Sequence, residues 1–254
     1  MRILKIPYNA GGLSKKNGVE QAPGRILDLL KEVFLREDGL LPVFDILDVK
    51  VENDNIEQSQ KSIMQAVSDY PFIALGGDHS ITKPLFTGFS EGNSGMIVFD
   101  AHPDLCEGKD SHEDYLRNLI EDGILKPQNL ILVGIRNIFS QEQEFIKKHR
   151  LNTFNMREIS MRGIKEVSEA VMSVARHWDK LYVSIDIDVL DPAFAPGTGH
   201  AEPGGMTSRE LIYFIQRLKI LKNFRAADIV EVNPLLDMAD MTSKMAAKLA
   251  IELC

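Results

Sequence analysis

Short apolar runs alternate with amphipathic stretches along the whole chain. The apolar runs have the length of buried strands, and the amphipathic stretches repeat their apolar residues with the period of a helix. The pattern predicts eight strands, near residues 3–6, 43–47, 72–75, 96–99, 130–133, 152–155, 181–185 and 226–230. Its clearest helices cover residues 24–35, 56–68, 111–121, 141–148, 164–177, 208–219 and 242–253. Strands that alternate with helices in this way are typical of a parallel sheet with helices on both faces.

This order of elements predicts a single α/β domain over residues 1–254, a three-layer α-β-α sandwich with a mostly parallel sheet of about eight strands. Polar residues cluster where three of the strands end, in the segments IALGGDHS, IVFDAHPD and VSIDIDVLDP. In an open parallel sheet, ligands bind in the crevice beyond the carboxyl ends of the strands. The three clusters are therefore expected to converge on one site.

The clusters contain a set of candidate metal ligands. They are His79, Asp100, His102, Asp104, Asp186 and Asp188. Carboxylates at alternate positions of a strand point the same way, and burying them without a counter-charge is costly. Imidazoles and carboxylates without cysteine suit a pair of harder divalent ions better than structural zinc. Two Mn²⁺ ions per chain fit this set best, although ligand type alone leaves Ni²⁺, Co²⁺, Fe²⁺ and Zn²⁺ open.

Each segment also has a purely structural interpretation. An Asp-x-Asp pair often caps a turn, and GGDHS is compatible with a tight strand-to-helix connection capped by Ser80. These alternatives apply to one segment at a time. Three polar clusters at three strand ends favour a metal site.

The composition favours a small molecule as the binding partner. The formal net charge of −8 and the lack of a Lys/Arg cluster disfavour nucleic acid and anionic membranes. Cys106 and Cys254 are the two cysteines and form no C-x-x-C motif, so no disulfide framework or cysteine zinc site is expected. No apolar run of about 18 residues and no signal-peptide pattern occurs, so we expect a cytoplasmic protein.

Three segments, GGDHS, DAHPD and SIDIDVLDPAFAPGTG, resemble the signature segments of the ureohydrolase (arginase/agmatinase) family. GVEQAP, VGIR and DIVEVNP are weaker matches that extend the resemblance over essentially the whole chain. The resemblance implies a hydrolase acting on C–N bonds in linear amidines, other than peptide bonds, and commonly a homotrimer or homohexamer. It also implies that His79 and Asp104 bind one ion, that His102 and Asp188 bind the other, and that Asp100 and Asp186 bridge them. Two dications lower the pKa of water, which then attacks a guanidinium carbon and releases urea and an amine.

The resemblance further implies roles for residues outside the ligand set. Glu231, in DIVEVNP, matches the carboxylate that holds the guanidinium, and Thr198, in PGTG, matches a residue that lines the same pocket. His112 matches the family's proton-shuttling histidine. Ser111 and Asp114 resemble a capping box that places His112 in the first turn of a helix, where the dipole favours a neutral imidazole.

The loop around His112 departs from the family pattern. Glu113 follows His112 where the family usually has glycine, and the loop from Asp104 to His112 is shorter than in typical arginases. Cys106 and Phe139 stand at or near positions where arginases use Asn and Asp to bind the amino-acid end of arginine. These departures disfavour a true arginase.

Agmatine carries a second ammonium in place of the amino-acid end. The loop that should rim the pocket contains four acidic residues, which suit such a dication: Glu107, Asp110, Glu113 and Asp114. We therefore expect an agmatinase-like enzyme that converts agmatine to putrescine and urea, with Glu113 contacting substrate. Arginine, guanidinobutyrate and formimidoylglutamate remain alternative substrates.

Two other classes of protein also fit part of the pattern. Zinc deacetylases of the histone-deacetylase type share the broad fold and an Asp-x-His motif, but they carry an adjacent His-His pair, which this sequence lacks. A non-catalytic metal-binding protein is the other alternative. The complete ligand set argues against it, because carboxylate clusters without a use destabilise a fold.

Overall fold

The computed structural model describes residues 1–13, 17–32 and 35–254. Its strands form one eight-stranded sheet in which every described pairing is parallel. The strands are β1 Arg2–Lys5, β2 Asp45–Asp48, β3 Phe72–Leu75, β4 Gly95–Phe99, β5 Leu130–Val133, β6 Asn152–Phe154, β7 Leu181–Asp186 and β8 Phe224–Val230. Their order across the sheet is β2-β1-β3-β8-β7-β4-β5-β6. The predicted α/β class and number of strands are confirmed.

The described helices include all seven predicted ones and two that were not predicted. They are α1 Ala22–Leu30, α2 Ile56–Ala66, α3 Thr82–Phe89, α4 Tyr115–Glu121, α5 Ser140–His149, α6 Met156–Arg162, α7 Ile164–Ala175, α8 Ser208–Lys219 and α9 Met241–Leu253. Residues 33 and 34 of the first predicted helix lie outside the described residues. Helix α3 was missed because Pro84 and Gly88 disfavour a helix by propensity. Helix α6 was missed because only Gly163, with φ +82°, separates it from α7.

Helices cover both faces of the sheet, as expected for three layers. Side chains alternate along each strand, so that Ile97 belongs to one core and Val98 to the other. Helices α1 and α6 to α9 pack on the face of Ile97, and α2 to α5 pack on the face of Val98. No helix in the described ranges is both long and apolar enough to cross a membrane.

The four central strands position the candidate site. Strands β3, β8, β7 and β4 are consecutive neighbours in the sheet. Each of these strands leads to a predicted site residue. Asp186 is the last residue of β7, Asp100 and Glu231 come directly after β4 and β8, and His79 follows β3 after a short turn. Because the strands are parallel, these residues all lie at the same edge of the sheet.

Candidate metal centre

The connection after β3 brings His79 to the edge of the sheet. A side chain at Gly77 would place Cβ 1.8 Å from the carbonyl oxygen of Tyr8, so this close approach of two backbones requires glycine. The Asp78 carboxylate accepts a hydrogen bond from the Ser80 N–H and caps the short turn that holds His79. The glycines and the Asp78 cap thus fix where the imidazole points.

One group of ligand atoms is centred on His79. Its Nδ1 lies 3.2 Å from Asp100 Oδ2, 3.2 Å from Asp104 Oδ2 and 3.3 Å from Asp186 Oδ2. All four side chains are buried. These atoms are close enough for one ion to contact several of them, and the atoms of His79, Asp100 and Asp186 lie within 4.8 Å of one another.

A second group is centred on His102. Its Nδ1 lies 3.1 Å from Asp188 Oδ2 and 3.5 Å from Asp100 Oδ1. Asp100 therefore offers one oxygen to each group, as expected for a bridging carboxylate. The structure brings the six side chains predicted as ligands into two adjoining groups.

The unsatisfied atoms of this cluster fit divalent cations. His79 Nδ1 and Asp100 Oδ2 are fully buried and have no hydrogen-bond partner. Burial and the charge of Asp100 raise the pKa of Asp104 to about 7. Burial and the charges of Asp188 and Asp100 raise the pKa of Asp186 well above its usual range. A dry cluster of carboxylates that repel one another is stabilised by cations, so these residues fit a pair of metal ions.

Glu231 lies beside this cluster and is held by three contacts. Its N–H donates to the Gly77 carbonyl at 2.8 Å, and its Oε1 accepts from the His79 N–H at 2.8 Å and from His112 Nδ1 at 3.0 Å. Burial raises its pKa, but the hydrogen bond and charge of His112 outweigh burial and lower the pKa below its usual range. Glu231 has φ +62° and Asp104 has φ +52°, and such left-handed conformations often mark functional sites.

The predicted helical position of His112 is wrong. Helix α4 begins at Tyr115, so His112 lies in the turn that precedes it, and the Ser111 Oγ donates to Asp114 Oδ2 at 2.5 Å within that turn. The imidazole is positioned by Glu231 rather than by a helix terminus. Burial lowers the pKa of His112, but the hydrogen bond and charge of Glu231 outweigh it and raise the pKa to about 9. The His112 Nε2 accepts a hydrogen bond from the Leu13 N–H at 3.4 Å.

A cavity of about 120 Å³ opens onto the cluster. Its lining includes five of the six predicted ligands together with Glu231, His112, Thr198 and Glu113, and it also contains Cys106, Asn137, Phe139, Glu142, His200 and Glu202. Of the four loop acids predicted to rim the pocket, only Glu113 lines it. The side chains of Glu107, Asp110 and Asp114 instead contact Arg117, Gln60 and Ser111, respectively.

Two acidic residues of the lining were missed by sequence reasoning. Glu142 is buried and accepts hydrogen bonds from the N–H groups of Leu105 and Phe139, so its role is to shape the loop. Glu202 is partly exposed and faces the cavity close to His102. Neither belongs to a recognisable motif, and the tertiary fold alone brings them to the pocket.

The outer nitrogen of His79 contacts a buried network that was also missed. His79 Nε2 lies 2.9 Å from Ser184 Oγ and 2.9 Å from Tyr115 Oη. Ser184 Oγ donates to Asp228 Oδ1 at 2.6 Å, and Tyr182 Oη donates to Asp228 Oδ2 at 2.6 Å. Because the Ser184 hydroxyl donates its proton to Asp228, it can only accept a hydrogen bond from His79 Nε2–H. With the proton on Nε2, His79 Nδ1 is unprotonated on the side that faces the carboxylates. An aspartate in the buried part of strand β8 was the available signal.

We predict that Asp228→Asn weakens metal binding by roughly 10–100-fold, the usual effect of losing an outer partner of a histidine ligand. The affinity is measured by competition with a calibrated chelator. Tyr182→Phe is the matched control, because it removes a donor to Asp228 but leaves the path through Ser184 to His79 intact. Equal metal affinities of Asp228→Asn and Tyr182→Phe would contradict the tautomer argument.

Known proteins are similar to this chain in sequence and in structure. The sequence model of the arginase family matches residues 1–254. A formimidoylglutamase of Halalkalibacterium halodurans is 36% identical over 210 residues, which are 80% of this chain and 66% of that protein. An arginase of Staphylococcus aureus is 34% identical and covers 97% of this chain and 94% of its own length. The crystal structure of formimidoylglutamase from Bacillus subtilis superposes with a TM-score of 0.93 at 28% identity, covering 99% of this chain and 85% of that chain.

Proposed function

The chain belongs to the arginase family of hydrolases, which act on amidine C–N bonds, and from this premise we propose that it cleaves agmatine to putrescine and urea. The observation that carries the proposal is the position of Glu231. This buried carboxylate lines the same cavity as the ligand cluster and keeps a lowered pKa, so it is ionised at neutral pH. A planar guanidinium is the natural bidentate partner of such a carboxylate.

The ligand cluster is proposed to hold two Mn²⁺ ions. His79 and Asp104 would hold one ion, His102 and Asp188 would hold the other, and Asp100 and Asp186 would be shared by the two. When bound, such ions supply a water of lowered pKa and stabilise negative charge that develops on the substrate. Glu231 would hold the guanidinium so that its carbon lies at the edge of this cluster. Substrate and water are then already oriented for reaction, which lowers the entropic part of the barrier.

His112 is proposed to deliver the proton that the departing amine requires. Its Nδ1 is bound to Glu231 Oε1, so its ring lies beside the carboxylate that holds the substrate. With a pKa of about 9, the imidazole carries a proton at neutral pH. An amine that leaves a guanidinium carbon must be protonated to depart, and a positioned acid accelerates that step.

The charge of the cavity supports agmatine as the substrate. Among the described residues, no Lys or Arg lines the cavity, whereas Glu113 and Glu202 do. Arginine and formimidoylglutamate each bring carboxylate groups, which would face these acids without a cationic partner. Thr198 is buried and lines the same cavity, and it is proposed to contact the guanidino end of the substrate.

Formimidoylglutamate is the second candidate substrate. It is favoured by two similar proteins, from Halalkalibacterium halodurans and Bacillus subtilis, which are named formimidoylglutamase. A substrate panel separates the two candidates.

The panel consists of agmatine, arginine, guanidinobutyrate, guanidinopropionate and formimidoylglutamate, given to manganese-reconstituted protein. Urea release is followed for the guanidino compounds and glutamate release for formimidoylglutamate. The highest kcat/KM is expected for agmatine. A higher value for formimidoylglutamate would replace the proposed substrate, and no turnover of any amidine by metal-loaded protein would contradict the proposed function.

A further inference from the structure

We propose that Glu202 is the residue that selects substrates with a positively charged far end. The inference rests on the proposed function, because it concerns the wall of the same cavity that lies beside His102. Glu202 lines the cavity together with Glu231, and its side chain is 29% exposed. It therefore contacts solvent in the free protein and can meet a ligand without a large change in the fold.

The position of Glu202 is built into the fold. A single guanidinium nitrogen of Arg136 donates to the Glu202 carbonyl at 2.7 Å and to the Asp188 carbonyl at 2.6 Å. Arg136 thus ties the loop that carries Glu202 to the turn that carries a predicted metal ligand. Asn137 Nδ2 then donates to Glu202 Oε1 at 2.8 Å and orients the carboxylate. A carboxylate that is oriented before binding loses less entropy when a ligand arrives.

The Glu202 carboxylate forms no salt bridge with a Lys or Arg of the described residues. Within the described ranges, its one ion-pair contact is with His102 Nε2 at 3.6 Å, and no Lys or Arg pairs with it. Arg136 donates a hydrogen bond to the Glu202 backbone carbonyl, and the Glu202 carboxylate also attracts its guanidinium without forming an ion pair. Glu113, on another wall of the cavity, makes no ion pair with a described residue either. Two carboxylates that lack basic partners make the cavity attractive to a cation.

The remaining lining supports an alkyl chain that ends in a cation. Phe139 lines the cavity and is 59% exposed, so it offers apolar surface at the entrance and a ring face for an ammonium. A substrate held by its guanidinium at Glu231 would pass this surface and bring a terminal ammonium to Glu202. The ligand class is therefore a linear dication with a guanidinium at one end and an amine at the other.

The test compares agmatine with butylguanidine, which has the same carbon chain but no ammonium. For the wild-type protein, kcat/KM for agmatine is expected to exceed that for butylguanidine by roughly tenfold or more, as for a partly shielded charge pair. In Glu202→Gln this ratio should fall towards one, through a higher KM for agmatine and an unchanged kcat. Glu202→Lys should in addition improve hydrolysis of guanidinobutyrate, whose far end is anionic.

Glu121→Gln is the matched control, since Glu121 is an exposed carboxylate that pairs with Arg117 outside the cavity. It should keep the wild-type ratio. Metal content must also be equal in the wild type and Glu202→Gln, because Glu202 lies close to His102. An unchanged ratio in Glu202→Gln, or a ratio that falls only because metal is lost, overturns the proposal.

Binding measurements keep this test separate from the proposed function. If the wild type hydrolyses neither compound, the proposed function fails, and calorimetry on the metal-loaded protein still reports on Glu202. Tighter binding of agmatine than of butylguanidine, with the difference reduced in Glu202→Gln, would support the assignment. Equal binding of the two compounds to the wild type would overturn it.

Discussion

Asp100→Asn is expected to abolish turnover and to disrupt both groups of ligands at once. Asp100 is the one side chain shared by the two groups, and its Oδ2 is buried without a hydrogen-bond partner. Asparagine can still accept from the His102 N–H, as Asp100 Oδ1 does at 2.6 Å, so the backbone should be preserved. The amide, however, presents N–H donors where cations require an oxygen ligand. The loss of activity should exceed the roughly 100-fold cost of losing an outer partner of a ligand.

Metal content and turnover of Asp100→Asn are measured together, after reconstitution and removal of free metal. Asp48→Asn is the control, because Asp48 is an exposed residue at the edge of the sheet that pairs with Lys5. The control should behave as the wild type in both measurements. Wild-type metal content and turnover in Asp100→Asn would show that this carboxylate does not bridge two ions.

Glu231→Gln is expected to lower kcat/KM by about 10³-fold without loss of metal. A bidentate pair loses two charge-assisted hydrogen bonds of roughly 2 kcal/mol each, and each 1.4 kcal/mol corresponds to about tenfold. Glutamine keeps the shape of the side chain and can still accept from the His79 N–H. The effect should therefore fall on substrate binding and orientation and on the proton held by His112, and not on the cluster.

The decisive comparison for Glu231→Gln is kcat/KM at equal metal content. Glu91→Gln serves as a control, since Glu91 pairs with Lys180 at the N-terminal ends of β4 and β7, the opposite edge of the sheet from the site. It should have wild-type kinetics. A value of kcat/KM for Glu231→Gln within about tenfold of the wild type, with metal retained, would contradict a guanidinium anchor at this position.

Most of the sheet could be predicted from sequence because its inner strands are buried apolar runs, such as Phe72–Leu75 and Leu130–Val133. The convergence of the ligand segments was predictable for a related reason. Parallel strands end at one edge, so polar residues that follow them must meet there. The short helix α3 was not predictable, since Pro84 and Gly88 oppose a helix locally and packing of Leu85 and Phe86 overrides them.

Much of the site could not be predicted from sequence, because contacts between distant segments of the chain position its residues. His112 follows a pattern that resembles a helix start, but its place is fixed by Glu231, 119 residues away in sequence. Glu202 reaches the site through loop packing and no local motif marks it, whereas Asp228 begins the segment DIVEVNP but its contact with Ser184 depends on strand pairing. The predicted acidic rim was wrong for Asp110 and Asp114, because their carboxylates accept hydrogen bonds from Gln60 and Ser111 instead.

The central claim is that six side chains hold two divalent cations in one cavity beside Glu231. It is tested most directly by metal analysis of manganese-reconstituted protein, separated from free metal and compared with the protein concentration. Two manganese ions per chain are predicted. One ion or none per chain would contradict the account.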